Sequence, residues 1–73
     1  MTPLELGKTV RSARRAAGLR QDELAGAANV GVRFVIELEA GKPTAQLGKT
    51  FAVLDALGCR VSIEAPAPKA KRK

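Results

Sequence analysis

The chain contains no histidine, tryptophan or tyrosine, only two phenylalanines and a single cysteine. A zinc site of four nitrogen or sulfur ligands cannot be assembled from that inventory. Cys59 has no imidazole to draw off its proton and opens an alternating apolar stretch, so it reads as a small buried hydrophobe rather than a nucleophile. Asp22, Glu23, Glu37 and Glu39 stand where helix termini and surfaces ordinarily place acids. No catalytic residue, metal or cofactor is therefore assigned, and an enzyme is not expected. No apolar run approaches the ~18 residues of a membrane span. With no signal-peptide pattern either, a soluble cytoplasmic protein without a membrane partner is the expectation.

Acidic residues are also scarce: 7 stand against 13 basic ones, a net charge of +6 over 73 residues. Lys69, Lys71, Arg72 and Lys73 supply four of those charges, which leaves only +2 on residues 1–64. A modestly charged body with a basic end suits a polyanionic partner. A chain this short buries only about 60% of its unfolded surface, so pairing with a second copy would add burial that a lone monomer lacks.

What is present is helical punctuation. Thr2-Pro3-Leu4-Glu5 is a capping box with proline at the first helical position, which predicts a helix running to about Ala17. Leu6, Val10, Ala13 and Ala17 line its core face, and Lys8, Arg11 and Arg15 fall opposite, a face that ordinarily meets solvent. Arg14 lies at the edge of the apolar stripe, where a half-buried guanidinium needs a partner.

The segment Gly18–Lys42 then packs two short helices across a tight turn, the spacing of a helix-turn-helix, whose usual ligand is DNA. The first helix reads Gln21–Ala28, with Leu24, Ala25 and Ala28 on one face and Asp22 and Glu23 at the positive end of the helix dipole. The second runs from Val32 to about Ala40, directing Val35 and Leu38 at the first; Gly41 ends it with a left-handed residue. In the turn, Asn29 tolerates positive φ, Val30 can plug the core and Gly31 is a weak N-cap.

A further helix follows Lys42-Pro43-Thr44, with Thr44 as its candidate cap and Leu47, Phe51, Leu54 and Leu57 as its core positions; Gly58 stops it. The period then changes to 2. Cys59, Val61 and Ile63 alternate with Arg60, Ser62 and Glu64, the pattern of a strand with one buried face. Alone in a helical chain, such a strand invites pairing with a second copy. A twofold axis through Ser62 sets Arg60 against Glu64 and Val61 against Ile63, whereas one through Val61 sets Arg60 against Ser62. Charge pairing favours the Ser62 register. Residues 65–73, APAPKAKRK, have no apolar periodicity and are expected to be disordered. They could form an arm along DNA phosphates, a solubilising end, or a contact for an acidic protein surface.

Gln21, Ala25, Asn29, Val35 and Leu38, closed by Glu39-Ala40-Gly41-Lys42, carry a resemblance to the phage-repressor (Xre-type) helix-turn-helix family. The chain departs from that pattern at Arg20, Asn29 and Gly31, where a hydroxyl cap, glycine and a hydroxyl cap are usual. The fold expected is mainly α: a four- to five-helix phage-repressor-like DNA-binding domain over residues 1–58, a dimerising strand over 59–64 made of Cys59, Arg60, Val61, Ser62, Ile63 and Glu64, and the tail.

In such a motif the exposed N-terminal side chains of the second helix reach base edges, here Val32, Arg33 and Glu37. Arg33 can pair bidentately with guanine, Glu37 can accept from cytosine N4 and Val32 can touch a thymine methyl. The resemblance implies a phosphate contact for Gln21 and a structural salt bridge between Arg14 and Glu39, which would set Arg14 beside a phosphate. Arg20, Lys42 and Thr44 flank the same backbone, or serve as ordinary surface groups. Phe34 lies between faces, favouring packing on the first helix. Ile36, where the family often has a polar residue, suggests a protein contact.

A dimer would place its recognition helices about 34 Å apart on a palindromic operator. Leu57-Gly58-Cys59-Arg60-Val61-Ser62-Ile63 extends the resemblance to HipB-type antitoxins, which implies a homodimeric transcriptional repressor that autoregulates its operon and neutralises a HipA-type Ser/Thr kinase toxin. The alternatives are a phage or restriction-modification controller acting on DNA only, and a protein-interaction module without DNA binding in which Phe34 and Ile36 form an apolar patch.

Overall fold

The computed structural model describes residues 1–67; the basic end from Lys69 to Lys73 lies outside the described residues. Four helices form: α1 (Pro3–Ala16), α2 (Gln21–Ala28), α3 (Val32–Glu39) and α4 (Leu47–Ala56). The count settles the expected four to five at four among the described residues. Thr2 caps α1 as its sequence dictates, with the Glu5 amide donating to the Thr2 hydroxyl at 3.1 Å and the Thr2 amide to the Glu5 carboxylate at 2.7 Å. The helix ends at Ala16, so Ala17 is a cap residue and exposed rather than part of the core face.

Val10 of α1, Leu24, Ala25 and Ala28 of α2, Val35 and Leu38 of α3 and Val53 and Leu54 of α4 form one buried cluster. Leu24, Val10, Val35 and Val53 are its largest fully buried side chains, and burying each contributes about 1.5–3 kcal/mol. Helix α1 approaches α3 closely at Gly7, where an added Cβ would stand 2.8 Å from the Glu39 carbonyl oxygen and closer still to that of Leu38. The absent side chain permits that approach.

Turn chemistry follows the sequence. Asn29 adopts φ 57°, the left-handed region, and ends α2. Gly41, at φ 88°, ends α3: its amide donates to Leu38 O and the next amide, of Lys42, to Glu37 O, both at 3.0 Å. That pair of bonds satisfies carbonyls the helix leaves open. The same arrangement recurs after α4, where the Gly58 amide reaches Asp55 O at 3.0 Å and that of Cys59 reaches Leu54 O at 2.9 Å. Cys59 is thereby held half-buried against the core.

Two expectations for the C-terminal third are corrected. Gln46, not Thr44, occupies the N-cap of α4. Leu47 and Phe51 do not enter the core; they are 65% and 43% exposed, and the buried stripe is Thr50, Val53 and Leu54. The Thr50 hydroxyl donates to Gln46 O at 2.8 Å, and a hydroxyl bonded to its own helix can be buried. Residues 59–64 form no strand among the described residues, and Val61 and Ile63 stay exposed. Among the described residues no second strand is present for that segment to pair with.

Candidate nucleic-acid interface

The site is organised around one buried carboxylate. Glu39, at the last turn of α3, accepts from Arg14 Nε at 2.6 Å, from Arg14 Nη2 at 3.0 Å and from Gln21 Nε2 at 3.2 Å. Arg14 Nη1 donates to Leu19 O at 2.9 Å. Three helices and the α1–α2 loop are thus tied at one point. The paired side chains are only 12% and 5% exposed. Hydrogen bonding to Glu39, reinforced by its negative charge and opposed by burial, raises the Arg14 pKa still further above its ordinary value. The guanidinium is held permanently charged.

The start of α2 is capped from within. The Arg20 amide donates to Glu23 Oε1 at 2.8 Å, the carboxylate half of a capping box. The reciprocal half cannot form, because a guanidinium carries no acceptor. The Arg20 side chain instead folds over Asp22 at 3.1 Å and approaches Glu23 at 3.7 Å. The Arg20 hydrogen bond is the main cause that holds the Asp22 carboxyl below its usual range.

Helix α3 presents Val32, Arg33 and Ile36 to solvent, with Glu37 half-buried beside them. Arg33 enters no ion pair among the described residues. On one flank of this face, Ile36 borders a groove shared with Arg11, Arg14, Gln21 and Glu39. On the other, Glu37 and Phe34 border a cleft shared with Lys42, Thr44, Gln46 and Lys49. Two polar grooves, each with basic side chains, therefore run along the sides of the outward surface of α3.

The arrangement brings Arg14, Gln21 and Glu39 together, and separately Glu37, Lys42 and Thr44. Glu37 and Lys42 are engaged with one another at 3.1 Å. Arg14 turns inward, so its guanidinium orients Gln21 and Glu39. Two residues were missed in the sequence. Arg11 sits with the solvated basic face by periodicity, but one turn before Arg14 on α1 it lines the edge of the Gln21 groove. Lys49 comes to the other groove because α4 starts at Leu47; its ammonium lies 5.9 Å from the centre of the Phe34 ring. Phe34 itself packs inward against the core, as favoured. It shares no patch with Ile36, since residues two apart on a helix point about 160° away from each other.

Comparison with known proteins adds two findings. No family model matches the chain. The chain is 56% identical over 70 residues to an uncharacterized HTH-type transcriptional regulator, y4mF, of Sinorhizobium fredii, a match covering 96% of this chain and 92% of that relative.

Proposed function

The chain belongs to the HTH-type transcriptional regulators, a family of DNA-binding proteins rather than enzymes, and on that premise we propose that it is a homodimeric repressor that binds a palindromic operator and also serves as the antitoxin of a type II toxin-antitoxin module. The observation that carries the DNA-reading part is the exposed outward surface of α3, with Val32, Arg33 and Ile36 facing solvent between two polar grooves, fixed in orientation by the Arg14–Glu39–Gln21 network.

In this reading Val32 and Arg33 enter the major groove and contact base edges. Glu37 reaches cytosine N4 by exchanging its Lys42 partner for the base. Gln21, Arg20, Lys42 and Thr44 hold phosphates on the two sides, fixing register without reading sequence. Arg14 is a positioning residue: three of its donors face inward, and the proposal assigns it no phosphate.

Dimerisation uses Cys59, Arg60, Val61, Ser62, Ile63 and Glu64 of each copy in antiparallel pairing about an axis through Ser62. Support comes from exposed apolar side chains on the single chain. Val61 is 53% exposed and Ile63 88%, and both line a groove with Phe51, next to Leu47 one turn away on α4. A pair of strands laid over Leu47 and Phe51 would cover that surface and satisfy the free backbone groups.

The antitoxin role rests on layout. Beyond its DNA reader this sequence has a dimerising segment and a basic end, the arrangement of HipB-type antitoxins, and the partner proposed is a HipA-type Ser/Thr kinase that the dimer holds inactive. Pull-down of the tagged protein from its own cells, followed by mass spectrometry, tests it. A stoichiometric kinase supports the antitoxin role. Recovery of operator DNA with no stoichiometric protein leaves a controller acting on DNA alone.

A further inference from the structure

We propose that Ile36 is a specificity-determining residue of the DNA contact, its side chain lying against the C5-methyl group of a thymine about two base steps from the base pair that Val32 touches. The inference rests on the DNA-reading assignment of α3.

The geometry of the helix places Ile36 in that contact. At about 100° per residue, with Val32 set at 0°, Ile36 lies at about 40°, Arg33 at about 100° and Glu37 at about 140°. Ile36 falls within the arc defined by the three other outward positions. The buried residues occupy the complementary arc, with Leu38 at about 240°, Val35 at about 300° and Glu39 at about 340°. A groove that receives Val32 and Arg33 therefore receives Ile36 as well. Its exposure, 43%, equals that of Val32.

The chemistry narrows the contact to one group. In the major groove the thymine C5-methyl is the apolar feature of the base-pair edges, and the rest are hydrogen-bond donors and acceptors. A branched aliphatic chain has neither donor nor acceptor. Placed against cytosine N4 or guanine O6 it would displace water without replacing its bonds, so it disfavours those bases and gains only from a methyl. Val32 and Ile36 are four residues apart, a rise of about 6 Å along the helix. At about 3.4 Å per base step that spans roughly two steps. The surroundings suit a nucleic acid better than an apolar protein partner, because Ile36 borders a polar groove whose Arg14 and Glu39 neutralise each other, leaving the Arg11 cation and the Gln21 amide beside it.

The test uses the purified 73-residue chain and a duplex selected by it from a random-sequence pool. Each thymine of the selected half-site is replaced in turn by deoxyuridine, which removes only the methyl. The wild-type chain should lose about fourfold in affinity at each of two positions about two base steps apart, the effect of exposing one methyl group. Ile36→Ala and Ile36→Gln should abolish the loss at one position, Val32→Ala at the other, and Arg33→Ala at neither. If both methyl effects persist in the two Ile36 variants, or if the wild-type chain shows a single sensitive thymine, the assignment of Ile36 is overturned while the DNA reading stands. A pool in which no sequence is enriched overturns both.

Discussion

Arg14 and Glu39 face each other across the α1–α3 contact with two parallel hydrogen bonds, 2.6 and 3.0 Å long, in nearly complete exclusion from solvent. Glu39 also takes the Gln21 amide, so the pair fixes where the N-terminus of α2 stands relative to α3. Removing one partner leaves a buried charge unmatched, which costs far more than the pair itself contributes. Arg14→Ala and Glu39→Ala should each destabilise the fold by about 3 kcal/mol. Arg14→Met combined with Glu39→Met should recover most of that stability in urea unfolding. DNA affinity should remain impaired in the double variant, because Gln21 loses its anchor. Full recovery of affinity would show that the pair serves stability alone.

Two glycines should respond oppositely to alanine. At Gly7 a Cβ meets the backbone carbonyls of Leu38 and Glu39, which belong to a helix and cannot move aside cheaply. Gly7→Ala should lower stability by about 1–3 kcal/mol despite the better helix propensity. Gly26, inside α2 with nothing within 4 Å of its Cβ position, should gain about 1 kcal/mol on the same change. Thermal unfolding of the two variants, monitored by far-UV circular dichroism, checks both signs.

The exposed Asp22–Arg20 pair has a pH signature with a definite sign. Its folded-state carboxyl titrates below the unfolded value, so its contribution is present above the unfolded pKa and fades as pH falls through the folded one. Asp22→Asn should therefore be slightly less stable than wild type at neutral pH and equal to it in strong acid. High salt should shrink the neutral-pH difference, since both groups are exposed. Urea midpoints across an acid series report it.

The proposed dimer makes a separate claim on the apolar surface around Phe51. Ile63→Asp or Phe51→Asp would place a carboxylate in the shared interface, whereas neither side chain belongs to the core of the single chain. Both variants should keep their helical signal and sediment as monomers at concentrations where the wild-type chain sediments as a dimer. An unchanged sedimentation coefficient in both would remove residues 59–64 from the interface.

Much of this architecture was legible because its signals are local. The Thr2-Pro3-Leu4-Glu5 box, the left-handed Asn29 and Gly41, and the i, i+3 spacing of Val35 and Leu38 each act within a turn of helix, and each stands where the residues placed it. The Arg14–Glu39 bridge was legible for a different reason: a cation at the edge of an apolar stripe needs a partner, and the family resemblance pointed to Glu39. The errors arose where tertiary packing overrides pattern. Leu47 and Phe51 have helical spacing and apolar character, yet α4 turns Thr50 and Val53 inward, which is tolerated because the Thr50 hydroxyl is satisfied by its own helix. The role of Gly7 carries no local signature, as it depends on how closely α3 approaches α1. Lys49 and Arg11 reach the grooves through the placement of whole helices, which no window of sequence encodes. The alternation at residues 59–64 meets no second strand among the described residues.

The most direct measurement is equilibrium binding of the wild-type, Arg33→Ala and Gln21→Ala chains to the selected duplex and to a scrambled duplex of the same composition, by fluorescence anisotropy at several salt concentrations. If α3 reads bases, Arg33→Ala should lose about 1–3 kcal/mol on the selected duplex, roughly 5- to 150-fold, and little on the scrambled one. Gln21→Ala should weaken binding to both duplexes about equally. Equal affinity of the wild-type chain for the two duplexes, undiminished by Arg33→Ala, would contradict sequence-specific recognition by α3.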